Sequence, residues 1–251
     1  MRRVVSLWLP RFATDRVSRI IPDLRDRPFA LVEEHQSQPT LSAVNDKAEL
    51  AGLKPRMALA DARAVLPSLT TLPSNLVEDR KMLNRIVQWC ERYSPWIRAE
   101  DTDNPDLLLE EARGAGLWLD ITGCAHLYGG EENLLTDMIS RIEKIGFTAH
   151  AATADTLGCA WAVARFAVKN CDWKIVPPGE SRKALAPLAI AALRLPLTTV
   201  LSLHEVGLHY IEDLMNIPRG PLAGRYEKNV LLRLDTALGE IAEPLSPVLP
   251  K

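Results

Sequence analysis

The chain lacks any apolar run of the roughly 18 residues that a membrane-crossing helix needs. Its opening apolar stretch, Val4 to Leu9, is closed by Pro10 and Arg11 before a signal-peptide core could form, so a cytoplasmic protein is expected. Cysteine is scarce. Cys90, Cys124, Cys159 and Cys171 include no C-x-x-C pair, and no histidine is placed to complete a zinc site, so buried reduced thiols are expected. Excess positive charge is also missing: 30 Lys and Arg stand against 32 Asp and Glu, which disfavours tight duplex binding by this chain alone but leaves room for a local basic face. There is no Gly-x-Gly-x-x-Gly, no P-loop and no nucleophile elbow, which argues against a small-molecule enzyme on an α/β sheet; no cofactor is expected. His126 and His150 have no evident catalytic companion. The acidic stretch Glu100 to Asp106 lacks the alternating ligands and turn glycine of a calcium loop and reads as solvated.

What is present is ordinary globular composition over 251 residues, 47% hydrophobic, enough for one large or two small domains. Residues 3–9 read as a first strand and Phe12 to Ile21 as an amphipathic helix. Strands are expected at Phe29–Glu33 and Thr40–Val44, then a helix capped by Asn45 and stopped by Gly52, and another over Met57–Leu66. Glu78–Tyr93 carries the clearest apolar stripe, Met82, Leu83, Ile86, Val87 and Cys90. Trp96–Arg98, Leu107–Glu111, Leu117–Ile121 and Thr148–Ala152 read as strands, and Asn133–Ile145 and Leu157–Val168 as helices. Residues 1–176 thus alternate strands and helices around one sheet, in a ferredoxin-like α+β arrangement. Pro177-Pro178-Gly179 marks a domain boundary, and beyond it the pattern is helical: Glu180–Leu185, Leu197–Glu205, Tyr210–Asn216 and Glu227–Leu238, with Val206-Gly207-Leu208 a tight corner. Residues 243–251 are proline-rich and extended, the expected start of a linker.

The run Gly116 to Glu131 organises the rest. Leu117, Leu119 and Ile121 share one strand face, with Trp118 and Asp120 on the other. Asp120 has a local reading, a strand-end acid bonding the Thr122-Gly123 turn, and a catalytic one.

In order along the chain, strand one, Ser42-Ala43-Val44-Asn45-Asp46-Lys47-Ala48, Ala62-Arg63-Ala64-Val65-Leu66-Pro67, Leu119-Asp120-Ile121-Thr122-Gly123 and the helical Leu203–Leu214 together resemble a Y-family translesion DNA polymerase. Leu7-Trp8-Leu9-Pro10-Arg11 and the run from Leu119 through Tyr128 to Glu131 are similar to its catalytically inactive ImuB-like branch, found in bacterial SOS mutagenesis cassettes. The resemblance covers essentially the whole chain. It implies a palm over residues 1–176 with fingers inserted at roughly 23–75, a helix-hairpin-helix thumb over 177–242, and a little-finger domain and partner-binding tail beyond Lys251.

The resemblance also implies two Mg²⁺ ions held by three carboxylates, and here the sequence departs from the family. Strand one puts Trp8 at the first carboxylate position, with Ala13 at the aromatic gate against ribose, and counting back from Leu119-Asp120 puts Ala115 and Gly116 at the other two. In the fingers, Asp46 and Glu49 replace a Tyr and an Arg that grip the triphosphate. The palm lysine falls at Leu157, beside Asp155. In the thumb, Arg194 and Pro196 take the hairpin glycine positions, and proline offers no N–H to a phosphate. Arg194, Arg219, Arg225, Lys228 and Arg233 are candidate DNA contacts or, alternatively, a solvated face. The implied function is a non-catalytic adaptor linking an ImuA-type RecA-like protein, an error-prone C-family polymerase and the sliding clamp. The alternative is an active polymerase with relocated carboxylates, Glu110, Glu111 and Asp120.

Overall fold

The structure is a computed structural model that describes residues 2–35, 38–100, 114–168, 171–220, 224 and 227–245. The expected strand Leu107–Glu111, the acidic residues 101–106, Arg225 and the end of the proline-rich tail lie outside the described residues.

Val4–Leu9 (β1) is buried along its whole length because it is the middle strand of a five-stranded sheet. Its neighbours are Ala115–Asp120 (β6) and His150–Ala154 (β7), both antiparallel to it, with Ile97–Ala99 (β5) outside β6 and Trp173–Ile175 (β8) parallel to β7 at the other edge. Alternation splits β1 between two cores. Val5, Leu7 and Leu9, with Leu117, Leu119 and Ala151, pack under Leu76–Cys90 (α4) and Glu131–Lys144 (α5). Trp8, Ala152 and Ala154 face Leu157–Phe166 (α6) and the helical C-terminal third. The α6 helix is apolar all round because it lies between the sheet and that third.

The expected single sheet for residues 1–176 gives way to two. Phe29–His35 (β2), Gln38–Val44 (β3) and Thr70–Pro73 (β4) form a separate three-stranded sheet in the order β3-β2-β4. With Asp46–Leu50 (α2) and Leu59–Val65 (α3) it closes a small core on Leu41, Leu53 and Ala62. Asn45 holds this unit together. Its side chain accepts from the N–H groups of Ala48 and Phe29 and donates to Arg27 O, so one amide caps α2 and fixes the start of β2. The second helix begins two residues later than its pattern suggests because Met57 O accepts the Leu41 N–H, while Arg56, at φ 68°, turns its own N–H onto Leu41 O. Strands β4 and β8 are four and three residues long and pair in parallel with distant strands, so no local alternation announces them.

Phe12–Ile20 (α1) packs on α4 through the buried Arg16–Asp79 ion pair. After β8 come Ser181–Leu185 (α7), Leu197–Glu205 (α8), Ile211–Asn216 (α9) and Glu227–Leu238 (α10). Leu203, Ile211, Leu214, Val230 and Leu234 carry their apolar sides into the core shared with α6. Among the described residues, no helix is long and apolar enough to cross a membrane.

Candidate functional site: the β1–β6 junction

Trp8 and Gly116 are direct neighbours across β1 and β6, with Ala115 opposite Leu9 and His150 opposite Trp8 on β7. The fold therefore brings together the positions that the sequence singled out at this end of the sheet, and neither Trp8, Ala115 nor Gly116 offers a carboxylate. Ala115 is buried on the α4/α5 side. Trp8 is nearly covered, its ring 5.6 Å from that of His150.

A carboxylate does reach this place, from the adjacent strand. Glu100 follows β5, its N–H bonds Gly116 O at 2.8 Å, and its carboxylate lies over the Gly116 Cα. A Cβ on residue 116 would overlap that carboxylate, so Gly116 leaves the room that Glu100 fills. Glu100 is not free to ligate a metal. Arg165, near the end of α6, donates from Nη2 to its Oε2 at 2.6 Å, and Nη1 lies 3.5 Å from Ser6 Oγ. The Arg165 guanidinium is fully buried, 4.3 Å from the Trp161 ring centre and 5.4 Å from that of Trp8. Burial lowers its pKa and the Glu100 charge opposes that shift. One carboxylate neutralised by a resident guanidinium is a poor donor set for two divalent cations, each of which wants several anionic oxygens. No group of three or more His, Cys, Asp or Glu among the described residues could hold a metal. Glu100 was legible only as the first acid of a loop. The signal for Arg165 was a lone cation inside the apolar run Leu157–Phe166.

The other predicted residues scatter. Asp120 pairs with Val4, at the opposite end of β1 from Trp8. Four residues of strand put it about 13 Å away. Its Oδ1 accepts the Thr122 N–H and its Oδ2 binds Arg2 at 2.9 Å. Burial pushes its pKa up, but the Thr122 and Arg2 hydrogen bonds outweigh burial and hold it below the usual carboxylate value. This is the local, turn-bonding role. Asp120 thus cannot act beside Trp8 as a relocated ligand, and Glu110 and Glu111 lie outside the described residues. Leu157 is buried in the first turn of α6, also at the far end, so the fold does not group it with Trp8. Asp155 is committed to Arg3, which Glu131 also binds.

Ala13 packs beside Val17, Leu24, Phe29 and Leu31. Glu49, expected to repel a triphosphate, is paired with Arg11 at 2.8 Å, and Asp46 lies 3.5 Å from Lys47, so much of that negative charge is balanced locally. Of the candidate DNA cations, Arg219 is exposed but bound to Asp235 and Glu240, and Arg194 turns inward onto Glu243. Arg233 is half-buried near the same acid, Lys228 lies in α10 with its side chain outside the described set, and Arg225 is likewise undescribed. Cys90 and Cys159 are buried, which pushes their thiols up to about 12, whereas Cys171 is exposed, contrary to the expectation of uniformly buried thiols.

Residues 7–165 match the family described as IMS: impB/mucB/samB family. The chain is 42% identical over 195 residues to Protein ImuB of Caulobacter vibrioides (strain NA1000 / CB15N), a match covering 78% of this chain and 39% of that protein. It is 23% identical over 227 residues to DNA polymerase IV of Dehalococcoides mccartyi (strain CBDB1), covering 90% of this chain and 55% of that one. The solved insertion ternary complex of Dbh DNA polymerase shares the fold with a TM-score of 0.77 at 18% identity, covering 97% of this chain and 69% of that one. The chain spans about two fifths of the length of the curated ImuB relatives. The chain belongs to the impB/mucB/samB family and has the α+β fold of the Y-family DNA polymerases.

Proposed function

We propose that this chain is a polymerase-like core without polymerase activity, acting as an adaptor in SOS-induced translesion synthesis and mutagenesis. In this reading the five-stranded sheet with α1, α4, α5 and α6 is the palm, the three-stranded sheet with α2 and α3 the fingers, and α7–α10 the thumb. The observation that carries it is the buried Arg165–Glu100 pair over Gly116 and Trp8, where two-metal phosphoryl transfer requires a cluster of free carboxylates. A permanent cation on α6 does the charge balancing that metal ions would otherwise do, and it cannot polarise a nucleotide or activate a primer hydroxyl. The proposed partners are an ImuA-type RecA-like protein, an error-prone C-family DNA polymerase and the sliding clamp, in the cytoplasm, with DNA held weakly.

Primer extension by the purified protein with Mg²⁺ or Mn²⁺, at enzyme excess and long incubation, tests the reading. No product above the no-enzyme control is expected. Metal-dependent extension above that control would sink it.

A further inference from the structure

At the opposite end of the sheet, three arginines from three parts of the chain converge on one acid. Arg194 Nη2 binds Glu243 Oε2 at 2.8 Å, Arg233 Nη1 lies 3.8 Å from Oε1, and Arg2 Nη1 donates to the Glu243 backbone carbonyl at 2.7 Å. Arg2 is further held by Asp120, so the cluster carries about two uncompensated positive charges if Glu243 is withdrawn. Arg194 and Arg233 are close enough for each guanidinium to feel the other, an arrangement that needs an anion between them. Arg194 holds φ at 58°, which an L-residue rarely adopts, and its guanidinium lies 5.7 Å from the ring centre of Trp118. The indole Nε1 of Trp118 is buried with no acceptor among the described residues.

Glu243 is held by side chains and not by a helix or strand of its own. It follows α10 in a stretch, Ala242–Leu245, with no regular structure. Residues 239–243 form one wall of a pocket of about 400 Å³ that also reaches Arg2 and Asp155. Arginines beside an indole face form a site for a phosphodiester of nucleic acid: the guanidiniums match phosphate oxygens bidentately, and an aromatic face takes a base.

We propose that Arg2, Arg194 and Arg233 form a phosphate site for nucleic acid that Glu243 fills in cis, so that the segment leaving α10 gates DNA binding by this core. Glu243 is then an internal phosphate mimic. Displacing the strap frees the Arg194 and Arg233 cations beside Trp118. The inference is independent of whether the core polymerises, since it concerns the far end of β1 and not the Trp8 end.

The test is fluorescence anisotropy of labelled single-stranded and primed DNA against salt, for the wild type, Glu243→Gln and the double variant Glu243→Gln/Arg233→Gln. Glu243→Gln is expected to tighten binding about tenfold at low salt, the worth of one to two released charge-assisted contacts. It should also steepen the slope of log affinity on log salt by about one to two. The double variant should fall back toward wild type. Primer extension run alongside separates this result from the adaptor reading. Unchanged affinity and slope in a folded Glu243→Gln would overturn the proposal and leave Glu243 as a clasp between palm and thumb. If Glu243→Gln does not fold, Glu243→Asp keeps the charge but withdraws it by one methylene. A smaller gain of the same sign is then expected, and no gain overturns the proposal equally.

Discussion

Arg165 is the residue on which the reading of this protein turns. It is buried in an apolar helix and balanced by one carboxylate, Glu100. Removing one partner of such a pair leaves an uncompensated charge, so Arg165→Met is expected to cost about 3–5 kcal/mol in urea unfolding. The double variant Glu100→Leu/Arg165→Met should be more stable than Arg165→Met alone, because the pair costs desolvation that neither apolar group incurs. A double variant as unstable as the single one would show that Glu100 is not the charge partner. Placing a glutamate at Gly116 should destabilise, by about 1–3 kcal/mol, since its Cβ would overlap the Glu100 carboxylate. His150, against Trp8, gives a pH signature. Burial depresses its pKa, so the fold favours the neutral ring. The stability this brings is complete above the unfolded value of about 6.5 and is lost as pH falls through the folded pKa. The wild-type Tm should therefore drop between pH 7 and 5, and His150→Gln should flatten that part of the curve.

At the scale of elements, the sheet and helices follow from the sequence where a segment carries its own signal. Helix α4 was legible from its stripe, and Asn45 was legible as a cap, both from residues within a few positions of each other. Strands β4 and β8 were not, because their definition lies in partners far along the chain. Helix α6 shows both kinds of information. Its start is written locally in Thr156, whose Oγ1 accepts the Cys159 N–H, but the same hydroxyl donates to Ala237 O at 2.7 Å and ties the five-stranded sheet's α6 to α10. Thr156→Val is expected to cost about 1–2 kcal/mol, a lost cap plus a lost hydrogen bond. Hydrogen exchange should speed up in α10 as well as in the first turn of α6. Faster exchange confined to α6 would deny the second contact.

For the whole molecule, the expected outcome is a stability that does not depend on divalent metal. A ligand that binds only the folded state raises its stability by mass action. With Glu100 committed to Arg165, millimolar Mg²⁺ or EDTA should leave the Tm unchanged at constant ionic strength, and a metal-dependent rise would contradict this expectation. DNA affinity of the wild-type chain should be micromolar or weaker and fall steeply with salt, because its cations are largely paired: Arg194 and Arg233 face Glu243, and Arg219 faces Asp235 and Glu240.

The sequence by itself determined that Trp8, Ala115 and Gly116, the positions the family resemblance aligns with metal ligands, offer no carboxylate in any fold. It also offered the local turn role of Asp120, since an acid two residues before the N–H it accepts is a short-range matter, and the structure shows that bond. Only the tertiary structure decided what stands beside Gly116 and Trp8. Glu100 and Arg165 are 65 positions apart and meet because β5 and α6 converge on the Trp8 face of one sheet. Arg2, Arg194 and Glu243 likewise meet across nearly the whole chain. A buried charge must find its counter-charge in three dimensions, and the identity of that partner leaves no periodic trace in the sequence around it.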